Sequence, residues 1–132
     1  MSLAIDPNSE AKSNPGLSQA LREELSALLG ERFTTAMSVR EHHGKGEAYH
    51  PSAPPDGVAY ANSTDEVSAI VKACAAHATP VIPYGTGTAL EGHTLALRGG
   101  ITLDLSGMDQ IIRVSPEDLD CTVQAGVTRN TL

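Results

Sequence analysis

An α+β fold is predicted for this chain: a small mixed sheet containing a βαβ unit, with flanking helices. Two stretches carry that reading. Between residues 58 and 84, a short apolar run, a capped amphipathic stripe and a second apolar run follow one another. This is the order of a strand–helix–strand unit. Between residues 101 and 125, apolar and polar residues alternate in three short segments, the period of strands with one face buried. With 132 residues, the chain suffices for one domain with a modest core and is too short for two.

Residues 1–16 hold Pro7, Asn8, Ser9, Asn14, Pro15 and Gly16 and read as a loose leader or an expression scar, leaving 17–132 as the folded part. From Ser18 a helix is expected, because Leu21, Leu25, Leu28 and Leu29 recur at helical spacing, Ser18 can cap the start and Gly30 can close the end. Residues 31–57, rich in glycine and proline, read as irregular. His42, His43 and His50 fall there, either as solvated or hydrogen-bonded loop residues or as metal ligands. Their loose spacing favours the first. Val58-Ala59-Tyr60-Ala61 reads as a short strand. Ser63 and Glu66 have the spacing of a capping box, and Val67, Ile70, Val71, Cys74 and Ala78 form the stripe of the following helix. Pro80 ends that helix and Val81-Ile82 opens the next strand.

The strand runs into Pro83-Tyr84-Gly85-Thr86-Gly87-Thr88-Ala89-Leu90-Glu91-Gly92-His93. Glycine lacks a Cβ, takes φ > 0 readily and lets another group approach the backbone. Successive N–H groups in such a turn can form a concave anion nest, and Thr86 and Thr88 add hydroxyl donors. The loop holds no lysine or arginine, so an anion there rests on main-chain dipoles and hydroxyls. A dinucleotide diphosphate fits that description, and so does a tight turn with no ligand. The P-loop is excluded, because Gly87 is followed by Thr88-Ala89 rather than Lys-Ser/Thr. The Rossmann fingerprint is excluded because no helical stripe opens at Gly92. Position favours the cofactor: the loop leaves the carboxyl end of a strand in a βαβ unit, where ligands of α/β folds sit.

Beyond the loop the strands look antiparallel. Ile101, Leu103 and Leu105 alternate with Thr102 and Asp104, then come Ile111–Val114, a polar turn at Ser115–Asp118, and Cys121, Val123 and Ala125. Gly126-Val127 breaks the last strand. Thr128 reads as the cap of a helix barely begun at Leu132, so the chain is expected to be the front of a longer protein.

A formal charge of -7, a pI near 5.0 and 3% aromatic residues argue against nucleic acid or an anionic membrane surface as partner. Cys74 and Cys121 stand 47 positions apart without a Cys-x-x-Cys, which fits a reducing, cytoplasmic compartment. No run approaches the length of a membrane span. Attachment to an inner membrane through another part of a longer chain stays open. No Ser/His/Asp or Cys/His set stands where nucleophilic catalysis can be argued.

With these segments in order, the chain resembles the FAD-binding domain of the vanillyl-alcohol oxidase / p-cresol methylhydroxylase (PCMH) type. Within that superfamily it is most similar to cytochrome-type D-lactate dehydrogenase and the glycolate oxidase FAD subunit. The matching segments are Val39–Gly44, Pro54–Val58, Ser63–Val67, Val81–Gly92, Leu103–Met108 and Val123–Thr128. The resemblance implies the N-terminal subdomain of a PCMH-type FAD-binding domain. Gly85, Thr86, Gly87 and Thr88 would wrap the FAD diphosphate, Pro83, Tyr84, Leu90 and Gly92 would flank it, and Gly126 and Val127 would approach from the neighbouring strand. His93 is either a contact to the flavin side or a partly buried polar residue. Replacing Gly87 by valine is expected to deplete FAD by filling the space of the diphosphate.

The resemblance further implies a parent enzyme that takes a hydride from a D-2-hydroxy acid onto flavin and passes electrons to a cytochrome or quinone. Catalytic and metal residues would lie in a second FAD-binding segment and a cap domain, and none is assigned here. The alternatives are another FAD-linked oxidase, such as a glycolate oxidase subunit, a D-2-hydroxyglutarate dehydrogenase or a sugar-lactone oxidase, and a non-catalytic nucleotide-binding module.

Overall fold

The computed structural model describes residues 16–132, so the expected leader lies, but for Gly16, outside the described residues. Helix α1 (Gln19–Leu29) starts where Ser18 Oγ accepts the N–H of Leu21 at 3.2 Å, and it ends at Gly30, whose φ of 58° closes it. Its buried stripe is Leu21, Leu25 and Leu29. Leu21 and Leu25 are fully enclosed, each worth about 1.5–3 kcal/mol of burial. A 3-10 turn (Gly30–Arg32) leads into β1 (Phe33–Thr34), and α2 (Met37–His43) follows.

Strand β2 (Gly57–Tyr60) precedes α3 (Thr64–Ala76). Ser63 Oγ accepts the N–H of Glu66 at 3.2 Å, while the Glu66 carboxylate reaches back to the N–H of Asn62 at 2.8 Å. That is the capping box displaced by one residue on its return arm. Ile70, Ala73 and Cys74 form the buried stripe, whereas Val71, expected inside, is 42% exposed. The helix stops at Ala76, short of Pro80, with Ala78 in the left-handed region at φ 49°. Burial pushes the Cys74 thiol up to about 11.

Strands β3 (Val81–Tyr84) and β4 (Ile101–Asp104) complete a four-stranded sheet of order β1-β2-β4-β3. Strands β2, β4 and β3 run parallel and β1 antiparallel. The βαβ unit β2–α3–β3 therefore skips one position, and β4 fills it. Here the sequence reading is corrected: β4 is the parallel centre of the sheet, not a half-buried antiparallel strand, and all four of its residues are buried. Ile101 and Leu103 join α1 and α3 in the main core. Thr102 and Asp104 point to the opposite face, where both are buried and His43 of α2 meets Asp104. The alternation was real, but the polar half faces a second layer instead of water.

Strands β5 (Ile111–Ser115) and β6 (Asp120–Val123) form a separate antiparallel hairpin. It is tied to the rest where the N–H of Gly126 donates to Met108 O at 2.8 Å. At the C-terminal end, Thr131 and Leu132 donate to Thr128 O, a single turn.

Candidate functional site

Parallel neighbours need a crossover, and most crossovers are helices. Strands β3 and β4 are parallel neighbours in register Tyr84↔Asp104, yet residues 85–100 join them without one. A helix would satisfy its own N–H groups. This connection does not: among the described residues, no protein acceptor meets the N–H groups of residues 85–91. The first inward bond of the loop comes at Leu95, which donates to Gly92 O at 3.0 Å. Unpaired main-chain donors persist in native structures where water or a ligand meets them.

The glycines differ in what surrounds them. A Cβ at Gly85 would meet nothing within 4 Å. Gly87 has φ +73°, and a Cβ there would strike the Tyr84 side chain, with Cζ at 2.9 Å. The Gly87→Val expectation therefore changes its reason, because a side chain at 87 collides with Tyr84 beneath the loop. Gly126 lies against the 105–108 turn: a Cβ would contact the carbonyl oxygens of Leu105, Met108 and Ser106.

A cleft of about 430 Å³ opens between the loop and this second glycine. Gly85 and Thr86 form one wall, Gly126, Val127, Thr128 and Arg129 the other, with Ser106 and Asp109 on its lining. Thus the structure brings Gly85, Thr86, Gly126 and Val127 together. Thr86 and Thr88 hydroxyls pair with each other at 3.1 Å. Pro83 and His93 are exposed, and Leu90 is 70% exposed. Gly92 turns to a different cavity of about 310 Å³, shared with His50, Glu91 and Leu95. Tyr84 is buried, with its ring against Gly87 of the loop. Sequence reasoning missed Ser106, Asp109 and Arg129, although a cation three positions after Gly126 was a readable signal.

Beneath the loop lies a polar cluster. His43, read as one of three loop histidines, is 3% exposed. Its Nδ1 donates to Val39 O at 2.9 Å, and its Nε2 lies 2.8 Å from Asp104 Oδ2. Both ring nitrogens thus face oxygen atoms. Asp104 Oδ1 accepts the N–H of Ser106 at 2.8 Å. The His43 ring packs on Tyr84 at 4.4 Å and edge-on to Tyr60 at 5.8 Å. Burial, and then the nearby Asp104 charge, raise both phenols above their usual range. Among the described residues, no three His, Cys, Asp or Glu side chains converge as a metal site would require.

The profile of the FAD binding domain family matches residues 55–132. The chain is 45% identical over 102 residues to the probable mitochondrial D-lactate dehydrogenase of Danio rerio, covering 77% of this chain and 20% of that protein. It is 38% identical over 109 residues to the mitochondrial D-lactate dehydrogenase [cytochrome] of Arabidopsis thaliana, covering 81% and 19%. Among solved structures, p-cresol methylhydroxylase with substrate bound superposes with a TM-score of 0.69 at 24% identity, covering 88% of this chain and 24% of that one. The likeness to that structure is one of fold. The chain spans about a fifth of the length of these two relatives. The unpaired loop amides, the second glycine across the cleft and the matched profile agree: this chain belongs to the FAD binding domain family of FAD-linked oxidoreductases, with the fold of its PCMH-type members.

Proposed function

We propose that residues 17–132 are the diphosphate-holding first part of the FAD-binding domain of a flavin-dependent D-2-hydroxy acid dehydrogenase. In this reading the full-length protein converts D-lactate to pyruvate and delivers electrons to a cytochrome or quinone. The observation that carries it is the row of unpaired N–H groups from Gly85 to Glu91 at the carboxyl ends of β3 and β4. Main-chain donors suit a diphosphate because they need no counter-charge and are held by the strands they extend.

The donor set fits the cofactor. Residues 85–88 offer N–H groups and two hydroxyls, Gly85 leaves open space, and Arg129 brings a cation to the facing wall. Gly126 lets that wall close on the 105–108 turn. Asp109 lines the same cleft and would repel a phosphate, which directs the anion toward the Gly85–Thr86 side. Bound FAD would supply the hydride acceptor. The work of this chain is binding and orientation, and proton abstraction from the hydroxy acid is assigned to residues outside it.

The substrate rests on the names of the two relatives. The compartment, taken as reducing and cytoplasmic, rests on two unpaired thiols, Cys74 and Cys121. No helix among the described residues is long and apolar enough to cross a membrane, and any inner-membrane attachment is assigned to other parts of the full-length protein.

The test is anaerobic titration of the full-length protein with D-lactate and L-lactate. Bleaching of the flavin's visible absorption by the D enantiomer alone is expected. A flavin spectrum unmoved by D-lactate would overturn the substrate, and a purified protein without flavin would overturn the cofactor role.

A further inference from the structure

The His43–Asp104 pair is buried, ionisable and unused by the binding just described. Asp104 ends the central strand, directly under the cleft, and each of its oxygens reaches a different wall. Oδ1 accepts the N–H of Ser106 at 2.8 Å, and Ser106 lines the cleft. Oδ2 faces His43 Nε2 at 2.8 Å. The His43 ring, pinned to Val39 O by Nδ1, lies 4.4 Å from the Tyr84 ring at 49°. The Tyr84 side chain fills the space below Gly87, and Tyr84 O accepts the N–H of Leu105 at 3.0 Å. One carboxylate thus connects the 105–106 turn to the underside of the glycine loop.

Stability alone does not explain such a pair. A buried polar pair is often no better than apolar side chains of similar volume. What it adds is direction, since its hydrogen bonds hold in one geometry and fix the groups that make them.

We propose that Asp104 and His43 are positioning residues for the FAD cleft: together they set the height of the glycine loop against the 105–106 turn. This rests on the FAD reading above. The chemistry predicts which replacements are tolerated. In Asp104→Asn, Oδ1 can still accept from Ser106 and Nδ2 can donate to a neutral His43, so both connections survive. In Asp104→Ala both are lost.

The experiment is FAD affinity of the reconstituted full-length protein, with amide exchange of the FAD-free form read at Leu105 and Ser106. Asp104→Asn is expected within about threefold of the parent, and Asp104→Ala at least about tenfold weaker. Ile70→Ala removes a buried side chain of α3 on the opposite face of the sheet. It is the control for destabilisation and is expected to keep parental affinity in its folded fraction. The double variant Asp104→Leu/His43→Leu removes both polar partners together, is expected to fold even where Asp104→Ala does not, and still loses at least about tenfold in affinity. Exchange at Leu105 and Ser106 should quicken in Asp104→Ala and the double variant, and not in Ile70→Ala. The proposal fails if the double variant binds FAD as the parent does, if Ile70→Ala loses as much as Asp104→Ala, or if Asn is no better than Ala. Should the parent itself bind no FAD, the cofactor reading falls by itself, and the exchange rates still decide whether Asp104 sets the two segments.

Discussion

Gly85 and Gly87 stand two positions apart and need to be glycine for different reasons. A Cβ at 85 enters open space at an ordinary backbone φ, since this residue is absent from the positive-φ set. At 87 it meets Tyr84 with φ at +73°, where a non-glycine residue costs about 1–2 kcal/mol before any collision is counted. Gly85→Val should therefore leave thermal stability within about 0.5 kcal/mol of the parent while obstructing the diphosphate. Gly87→Val should lower both stability and flavin content. Flavin titration beside thermal unfolding of the FAD-free full-length protein separates the two. If Gly85→Val binds FAD like the parent, the diphosphate does not lie against the loop's first amides. Sequence alone located this loop but could not tell the two glycines apart, because that difference lies in Tyr84 folding underneath.

At the scale of elements, the N-termini of α1 and α3 were legible because their caps are local: Ser18 and Ser63 each bond an amide three residues on. Helix α2 was not. Met37–His43 has no side-chain cap and only His43 buried, so it carries no apolar stripe to read. Missing α2 also made Thr102 and Asp104 look solvent-facing, and β4 look like an edge. The register of α3 has its own support in Arg32, whose guanidinium grips Glu66 through 2.6 and 2.7 Å bonds and donates to Tyr60 O at 3.2 Å. These bonds, with Asn62 N–H, hold the Glu66 carboxyl at about 2, down from 4.5. A depressed folded-state value means the unfolded chain takes up the proton first. The contribution is thus complete above pH 4.5 and is lost as pH falls toward 2. Partial exposure of both side chains screens it in salt. Urea midpoints measured across that window should fall less steeply in Glu66→Gln than in the parent. Equal slopes would show that the pair does not couple folding to pH.

Across the whole molecule, burial is uneven. The four-stranded sheet packs α1 and α3 on one face and meets His43 of α2 on the other, whereas β5 and β6 have no buried residue. Ile112 is 62% exposed, Val114 59% and Leu119 91%, on a two-stranded hairpin that is marginal by itself in water. This hairpin leads directly into Gly126–Arg129, the second wall of the cleft. One wall of the site is thus built on the enclosed sheet and the other on the least supported part of the fold. Cofactor affinity then depends on whatever steadies the hairpin, and a mobile wall reduces apparent affinity by the fraction of time it is misplaced. The polypeptide of residues 1–132 alone is therefore expected to bind FAD at least about tenfold more weakly than the full-length protein. Its amides at 111–129 should exchange faster than those of β2 and β4. Isothermal titration with FAD and hydrogen exchange on both polypeptides check this. Stoichiometric flavin on the short chain, with a protected hairpin, would show that the second wall stands without outside support.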